Sequence, residues 1–193
     1  FNKDRSNNHI VLLAKNENGR KALNVALSEA FISGYYYVPR LDLNLLLNLP
    51  SKDIWVTSAC LGGWKYEDSD HVWLTLAEHF GENFFFEVQN HNTDSQKWLN
   101  QHILNLSKET GIKTIFGCDS HYIFKEQAKE RENYLASKGI IYEDEIGWYM
   151  DYPDGDEVVR RFQEQGILSE EEIIESIENT NIFLDVEEYN SPV

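Results

Sequence analysis

Short apolar runs alternate along the chain with segments in which apolar residues recur every three or four positions. The short runs are rich in β-branched and aromatic residues, and they predict buried strands over residues 10–14, 54–57, 84–88 and 114–116. The periodic segments predict helices over residues 19–33, 41–49, 72–80 and 95–110. Strands that alternate with helices in this way predict an α/β fold with a parallel sheet or a barrel.

The end of the chain has a different character. It predicts two helices, over residues 154–165 and 169–181, and the second begins with a capping box from Ser169 to Glu172. Residues 1–142 carry 17 acidic and 15 basic side chains, whereas residues 143–193 carry 16 acidic and two basic ones, a net of −2 against −14. We therefore divide the chain into residues 1–150 and an acidic helical segment over residues 151–193. We interpret its acids as solvated helix faces, which would repel a phosphate backbone.

Composition excludes several classes of protein. Five Trp, ten Tyr and ten Phe are incompatible with a disordered chain. No run of about 18 apolar residues is present to span a membrane, and residues 1–8 lack the apolar stretch of a signal peptide. Two cysteines cannot build a disulfide framework. We expect a cytoplasmic protein with no membrane partner.

Potential metal ligands follow three of the predicted strands. Cys60 follows the second strand, His91 the third, and Asp119 and His121 the fourth. The carboxyl ends of strands form the active-site face of α/β barrels and open α/β sheets. Since thiolate, imidazole and carboxylate groups all bind divalent metals, the pattern predicts a metal site at this face. His91 is the weaker candidate, because a single histidine in a loop needs no ligand to explain it.

Each of these residues also has a simpler interpretation. A cysteine such as Cys60 is more commonly a small buried apolar residue than a ligand, and a role as nucleophile would require a neighbouring base. The spacing of Asp119 and His121 is common on protein surfaces. His9 stands at the start of the first strand, where a histidine is usually structural, and it reaches the other candidates only if that strand runs differently.

The residues, taken in order, resemble the PHP (polymerase and histidinol phosphatase) domain of bacterial replicative DNA polymerase III alpha subunits. The similarity spans about His9 to Glu188, and it is the ordered set of motifs that makes it specific. Those motifs are His9-Ile-Val-Leu-Leu-Ala-Lys-Asn, Tyr36-Tyr-Val-Pro-Arg-Leu-Asp, Ser58-Ala-Cys-Leu-Gly-Gly, Phe84-Phe-Phe-Glu-Val-Gln-Asn-His, Asp119-Ser-His-Tyr and Ile177-Glu-Asn-Thr.

The resemblance implies that residues 1–150 form the C-terminal portion of a distorted seven-stranded, TIM-like β/α barrel. It also implies that the acidic helical segment, residues 151–193, is similar to the connection to the polymerase core. It implies that His9, Cys60, Asp119 and His121 bind zinc or manganese, or alternatively magnesium, with His91 near the site. In some members of the family this site is a metal-dependent 3′–5′ exonuclease. In others it is degraded, and the domain supports the polymerase or docks a separate exonuclease subunit.

One departure from the family is large. Its His-x-His motif and further ligands precede the strand that His9 begins, and they are missing here. We therefore expect an incomplete site, with the remaining ligands supplied by the rest of a polymerase chain or by a split N-terminal half. DNA would be reached through that larger assembly. Exposed sheet edges would favour such association.

Three hypotheses follow. The first is a part of a DNA polymerase III alpha subunit that acts in DNA replication and carries a metal-dependent phosphodiester hydrolysis site. The second keeps the same fold as a non-catalytic structural or docking module of the polymerase. The third is a stand-alone metal-dependent phosphoesterase of small substrates.

Overall fold

The centre of the protein is a four-stranded mixed sheet. The computed structural model describes residues 7–65, 68–140, 142 and 147–187. The strands β1 (Val11–Ala14), β2 (Ile54–Thr57), β3 (Phe84–Val88) and β4 (Thr114–Phe116) lie side by side in chain order. The sequence predicted β2, β3 and β4 with these same bounds, because their continuous apolar runs are buried on both faces of the sheet.

The first strand runs against the others. β2, β3 and β4 are parallel, whereas β1 is antiparallel to β2, with Val11 opposite Thr57 and Ala14 opposite Ile54. The start of β1 therefore lies beside the carboxyl end of β2. The described strands form an open sheet, so the closed barrel stays a prediction.

Seven α-helices connect and flank the described strands. Six correspond to predicted helices, and α5 was not predicted because it buries no residue and so shows no apolar stripe. They are α1 (Glu17–Ile32), α2 (Leu43–Leu47), α3 (Ser69–Phe80), α4 (Asp94–Thr110), α5 (Ala128–Ser137), α6 (Gly155–Gln165) and α7 (Glu170–Glu178). The predicted capping box at the start of α7 is confirmed between Ser169 and Glu172.

One face of the sheet carries the main hydrophobic core. Val56 and Phe86 of the sheet pack there with Leu99 of α4, and all three are fully buried. The acidic helices join this core, since Phe162 of α6 and Ile173 of α7 are buried in it. Their acidic side chains thus belong to helices that bury an apolar face, as amphipathic helices do.

The opposite face holds a smaller cluster. Trp55, Phe85 and Ile115 are at most 3 % exposed, because Phe183 packs over them with ring centroids 5.4 Å from Trp55 and 6.1 Å from Phe85. Phe183 belongs to a 3₁₀ segment, Asn179–Asp185, that follows α7. The end of the described chain therefore crosses beneath the sheet.

The two outer strands differ in their surroundings. β4 is covered by α7, whose Ser176 Oγ lies 2.7 Å from Thr114 Oγ1, and the Asn179 amide donates to the Thr114 carbonyl. Within the described residues, β1 pairs with β2 alone. The same residues include no helix that is both long and apolar enough to cross a membrane.

Candidate functional site

His9 and Cys60 meet at the carboxyl edge of the sheet. His9 Nδ1 lies 3.3 Å from Cys60 Sγ, and the backbone N–H of His9 donates to the Gly62 carbonyl at 3.1 Å. The antiparallel direction of β1 explains the meeting, because it places the start of β1 beside the end of β2. A Cβ at position 62 would come 2.6 Å from His9 Nδ1, so the close approach depends on Gly62 having no side chain.

The turn that carries Cys60 has an unusual backbone. Ala59 adopts a φ of 54°, a left-handed conformation that costs free energy for a residue with a Cβ. The turn is held by the Ser58 N–H, which donates to the Phe85 carbonyl, and by the Gly63 N–H, which donates to the Cys60 carbonyl. Asp119, directly after β4, adopts a second left-handed conformation with a φ of 47°. Tyr37, which is not one of the candidate ligands, adopts a third with a φ of 63°, so the left-handed backbone does not by itself mark the site.

The surroundings of Cys60 disfavour a nucleophilic role. Burial raises the pKa of the Cys60 thiol, and the negative charges of Asp119 and Glu87 raise it further. A catalytic cysteine needs the opposite, a positive environment that lowers its pKa.

Asp119 and His121 occupy the end of β4. His121 is exposed, its Nδ1 lies 2.9 Å from the Asp119 carbonyl oxygen, and its backbone N–H donates to the Met150 carbonyl at 2.8 Å. The imidazole is thus turned toward its own loop. The negative charge of Asp119 contributes to the raised pKa of both Cys60 and Glu87.

His91 is fully buried after β3. Its ring stacks on Trp148 with centroids 4.6 Å apart, and its Nδ1 accepts a hydrogen bond from the Tyr149 N–H at 3.1 Å. Burial lowers the pKa of His91 to about 4, with smaller contributions from the charges of Arg161 and His121. The neutral ring therefore carries its proton on Nε2, which makes that nitrogen a donor. Among the described residues this buried nitrogen has no hydrogen-bond partner, and His91 stays the weaker candidate ligand.

Glu87 is the site residue that sequence reasoning missed. It is 9 % exposed, and burial raises the pKa of its carboxyl, with a further contribution from the charge of Asp119. Thr57 Oγ1 donates to Glu87 Oε2 at 2.7 Å, and Gln89 Nε2 donates to Glu87 Oε1 at 2.9 Å. The signal in the sequence was a single acid within the apolar run Phe-Phe-Phe-Glu-Val.

A buried ion pair supports the loops behind the site. Arg161 of α6 is 1 % exposed, and its Nη2 donates to Asp151 at 2.6 and 2.9 Å. Its guanidinium also lies 4.3 Å from the centre of the Tyr149 ring. One turn later, Gln165 Nε2 donates to the carbonyls of Gln89 and His91. Helix α6 therefore holds the segments that follow β3 and β4.

The donors fit a divalent cation in part. Zinc with one nitrogen and one sulfur ligand in tetrahedral geometry holds them about 3.5 Å apart, close to the His9–Cys60 separation of 3.3 Å. The oxygen atoms of Asp119 are ligands that manganese and magnesium accept. Within the described residues, however, no three His, Cys, Asp or Glu side chains are placed together to hold a metal.

Comparisons with known proteins point to one kind of relative. No family model matches the chain. It is similar to the DNA polymerase III subunit alpha of Borreliella burgdorferi, at 34 % identity over 132 residues, and to that of Campylobacter jejuni, at 34 % over 146 residues. The corresponding subunit of Thermus aquaticus is 33 % identical over 136 residues. These matches cover 64–66 % of the chain but only 11–12 % of the relatives' length. The chain is therefore similar to a small part of DNA polymerase III alpha subunits.

Proposed function

We propose that this chain is part of a DNA polymerase III alpha subunit and acts in DNA replication as the C-terminal part of its PHP domain. The observation that carries the proposal is the similarity to three such subunits over 64–66 % of the chain. The ordered motifs from His9 to Thr180 and the α/β sheet are consistent with it. The remaining strands would come from the rest of the polymerase chain or from a separate N-terminal half, and they would pair at the edge of β1 that faces no other described strand.

The carboxyl edge is the proposed metal site. His9 and Cys60 would hold the cation together, with Asp119 and His121 as further ligands and the remaining ligands from outside the described residues. A divalent cation there would supply Lewis-acid chemistry for 3′–5′ hydrolysis of a phosphodiester. Zinc suits the His9–Cys60 pair, whereas manganese or magnesium would depend more on Asp119.

Metal analysis of the intact protein tests this site, with the two cysteines as a matched pair. Cys60→Ser is expected to lower the bound zinc and any chelator-sensitive 3′–5′ exonuclease activity at least tenfold. Cys118→Ser should leave both unchanged, because the Cys118 thiol donates to the Asp151 carbonyl, at 3.8 Å, and a serine hydroxyl can donate there too. An intact protein that binds neither zinc nor manganese would refute the metal site.

A second candidate function is a non-catalytic structural or docking module of the polymerase. The observation in its favour is that the described residues do not bring three metal-binding side chains together. It predicts that the intact protein binds no metal and that Asp119→Asn leaves polymerase activity unchanged. If the module docks an exonuclease subunit, that subunit should co-purify with the polymerase only when this chain is present.

The stand-alone phosphoesterase makes a separate prediction. It requires turnover of a small phosphate monoester by the protein without any polymerase segment. Nuclease activity without such turnover would exclude it.

The low net charge of residues 1–142 leaves that part able to lie beside DNA in an assembly, whereas the acidic helices would avoid it.

A further inference from the structure

The carboxyl of Glu87 is buried between the two segments that carry the proposed ligands. Glu87 lies on the same face of the sheet as Thr57 and Ile115. An apolar side chain would fill this place without the cost of removing a carboxyl from water. The position of Glu87 therefore calls for an explanation beyond packing.

On one side, Glu87 holds the turn that leads to Cys60. The Thr57 hydroxyl donates to Glu87 Oε2 and accepts a hydrogen bond from the Ala59 N–H at 3.3 Å. The backbone N–H of Glu87 donates to Ser58 Oγ at 2.9 Å. Both the side chain and the backbone of Glu87 thus fix the three residues that precede Cys60.

On the other side, the carboxyl packs against the segment that leads to Asp119. A Cβ at position 117 would overlap Glu87 Oε1, so the carboxyl occupies space that exists because Gly117 has no side chain. The Gly117 N–H donates to the Val88 carbonyl at 3.0 Å, which keeps this segment against β3. Asp119 follows two residues later in its left-handed conformation.

We propose that Glu87 is a positioning residue that couples the Thr57–Cys60 turn to the 117–121 segment and sets the placement of Cys60 relative to Asp119. The proposal rests on the proposed function for the role of these two segments as ligand carriers. The coupling itself is a property of the folded chain and can be measured without metal.

Amide hydrogen exchange of the metal-free intact protein tests the coupling. Thr57→Val removes the hydroxyl that links Glu87 to Ala59, and it is expected to speed exchange about fivefold in residues 57–61, the effect of losing one hydrogen bond. If Glu87 transmits the change, exchange in residues 117–121 speeds up as well. Thr57→Ser keeps the hydroxyl and should restore exchange in both segments.

Two controls separate this outcome from general loosening. Thr75→Val removes a comparable hydroxyl, which donates to the His71 carbonyl at 2.7 Å on α3, and should leave both segments unchanged. Exchange in α4 should also stay the same in every variant. Exchange that rises throughout the protein, or that stays unchanged in residues 117–121, would overturn the coupling.

Metal affinity then separates this proposal from the proposed function. Glu87→Gln keeps the shape of the side chain and removes its charge. It is expected to weaken zinc binding about 10–100-fold, the usual effect of replacing a residue that supports a metal ligand. Equal zinc affinity of the parent and Glu87→Gln would refute the positioning role while the proposed metal site stands. A parent that binds neither zinc nor manganese would refute the metal site, and the exchange experiment would still decide the role of Glu87.

Discussion

The ends of β2 and β4 both carry candidate ligands, but they present them differently. At the end of β2, Cys60 is half-buried and lies 3.3 Å from His9, which a neighbouring strand supplies. At the end of β4, the exposed His121 turns toward the carbonyl of Asp119 in its own loop. The difference follows from the neighbours, because β1 brings a donor to β2 while α7 and the Met150 segment cover β4. Residues that share a sheet edge need a partner element to become a site.

The largest effect is expected where α6 holds the β4 end of the site. Arg161→Met leaves the Asp151 carboxylate buried without its partner, which should lower the free energy of unfolding by about 3–5 kcal/mol. Arg160→Met is the matched control, because its side chain is 48 % exposed against 1 % for Arg161, and its loss should cost less than about 1 kcal/mol. Urea denaturation measures both. Equal losses would mean that the Arg161–Asp151 pair does not support this end.

The second prediction concerns pH and the histidine between the two ends. The pKa of His91 is about 4 in the folded protein and about 6.5 unfolded, so the unfolded chain binds more protons between these values. Stability should therefore rise with pH through this window and be lost as pH falls from 6.5 toward 4, by about 3 kcal/mol. The Asn side chain of His91→Asn can still accept a hydrogen bond from the Tyr149 N–H. Because Asn does not titrate, this variant should not show the loss of stability that His91 causes on acidification.

Unfolding in urea at pH 4.5 and 7 measures the difference between parent and variant. His71→Asn, on an exposed position of α3, is the control and should keep the pH dependence of the parent. A parent and His91→Asn that lose equal stability on acidification would contradict the neutral, buried state of His91.

The smallest effect is expected at the contact that distinguishes the β2 end. Gly62→Ala places a methyl group against the His9 ring, and the required shift should cost about 2 kcal/mol. The methyl group should also separate His9 from Cys60. The rate at which Cys60 is alkylated measures this separation, in a Cys118→Ser background that leaves Cys60 as the one cysteine. Gly155→Ala, where a Cβ meets no atom within 4 Å, should change stability by less than about 1 kcal/mol. An unchanged rate of Cys60 alkylation in Gly62→Ala would contradict the dependence of the His9–Cys60 contact on Gly62.

Much of the fold could be predicted because it follows from local patterns. β2, β3 and β4 are continuous apolar runs, and α7 has its capping box in the sequence. Helix α5 has no such pattern, because it lies on the surface without a buried residue. The four described strands form an open sheet, and the closed barrel stays a prediction.

The candidate site was only partly predictable for a different reason. The sequence placed Cys60, Asp119 and His121 at one edge, but His9 stood at the wrong end of its strand if that strand were parallel. Strand direction depends on pairing between distant segments, which no local pattern contains. Glu87 was missed because an acid inside an apolar run signals a buried carboxyl but does not show which distant turns that carboxyl contacts.

The crossing of the chain beneath the sheet links the first and last described elements into one cooperative unit. After Phe183 covers Trp55 and Phe85, the Glu187 N–H donates to the Lys15 carbonyl at the end of β1. Removal of the residues after Asn179 would expose three large apolar side chains and release this bond. The smallest fragment that keeps these three side chains covered must therefore extend past Phe183, and the bond from Glu187 ties that end of the described chain to the residue that follows β1.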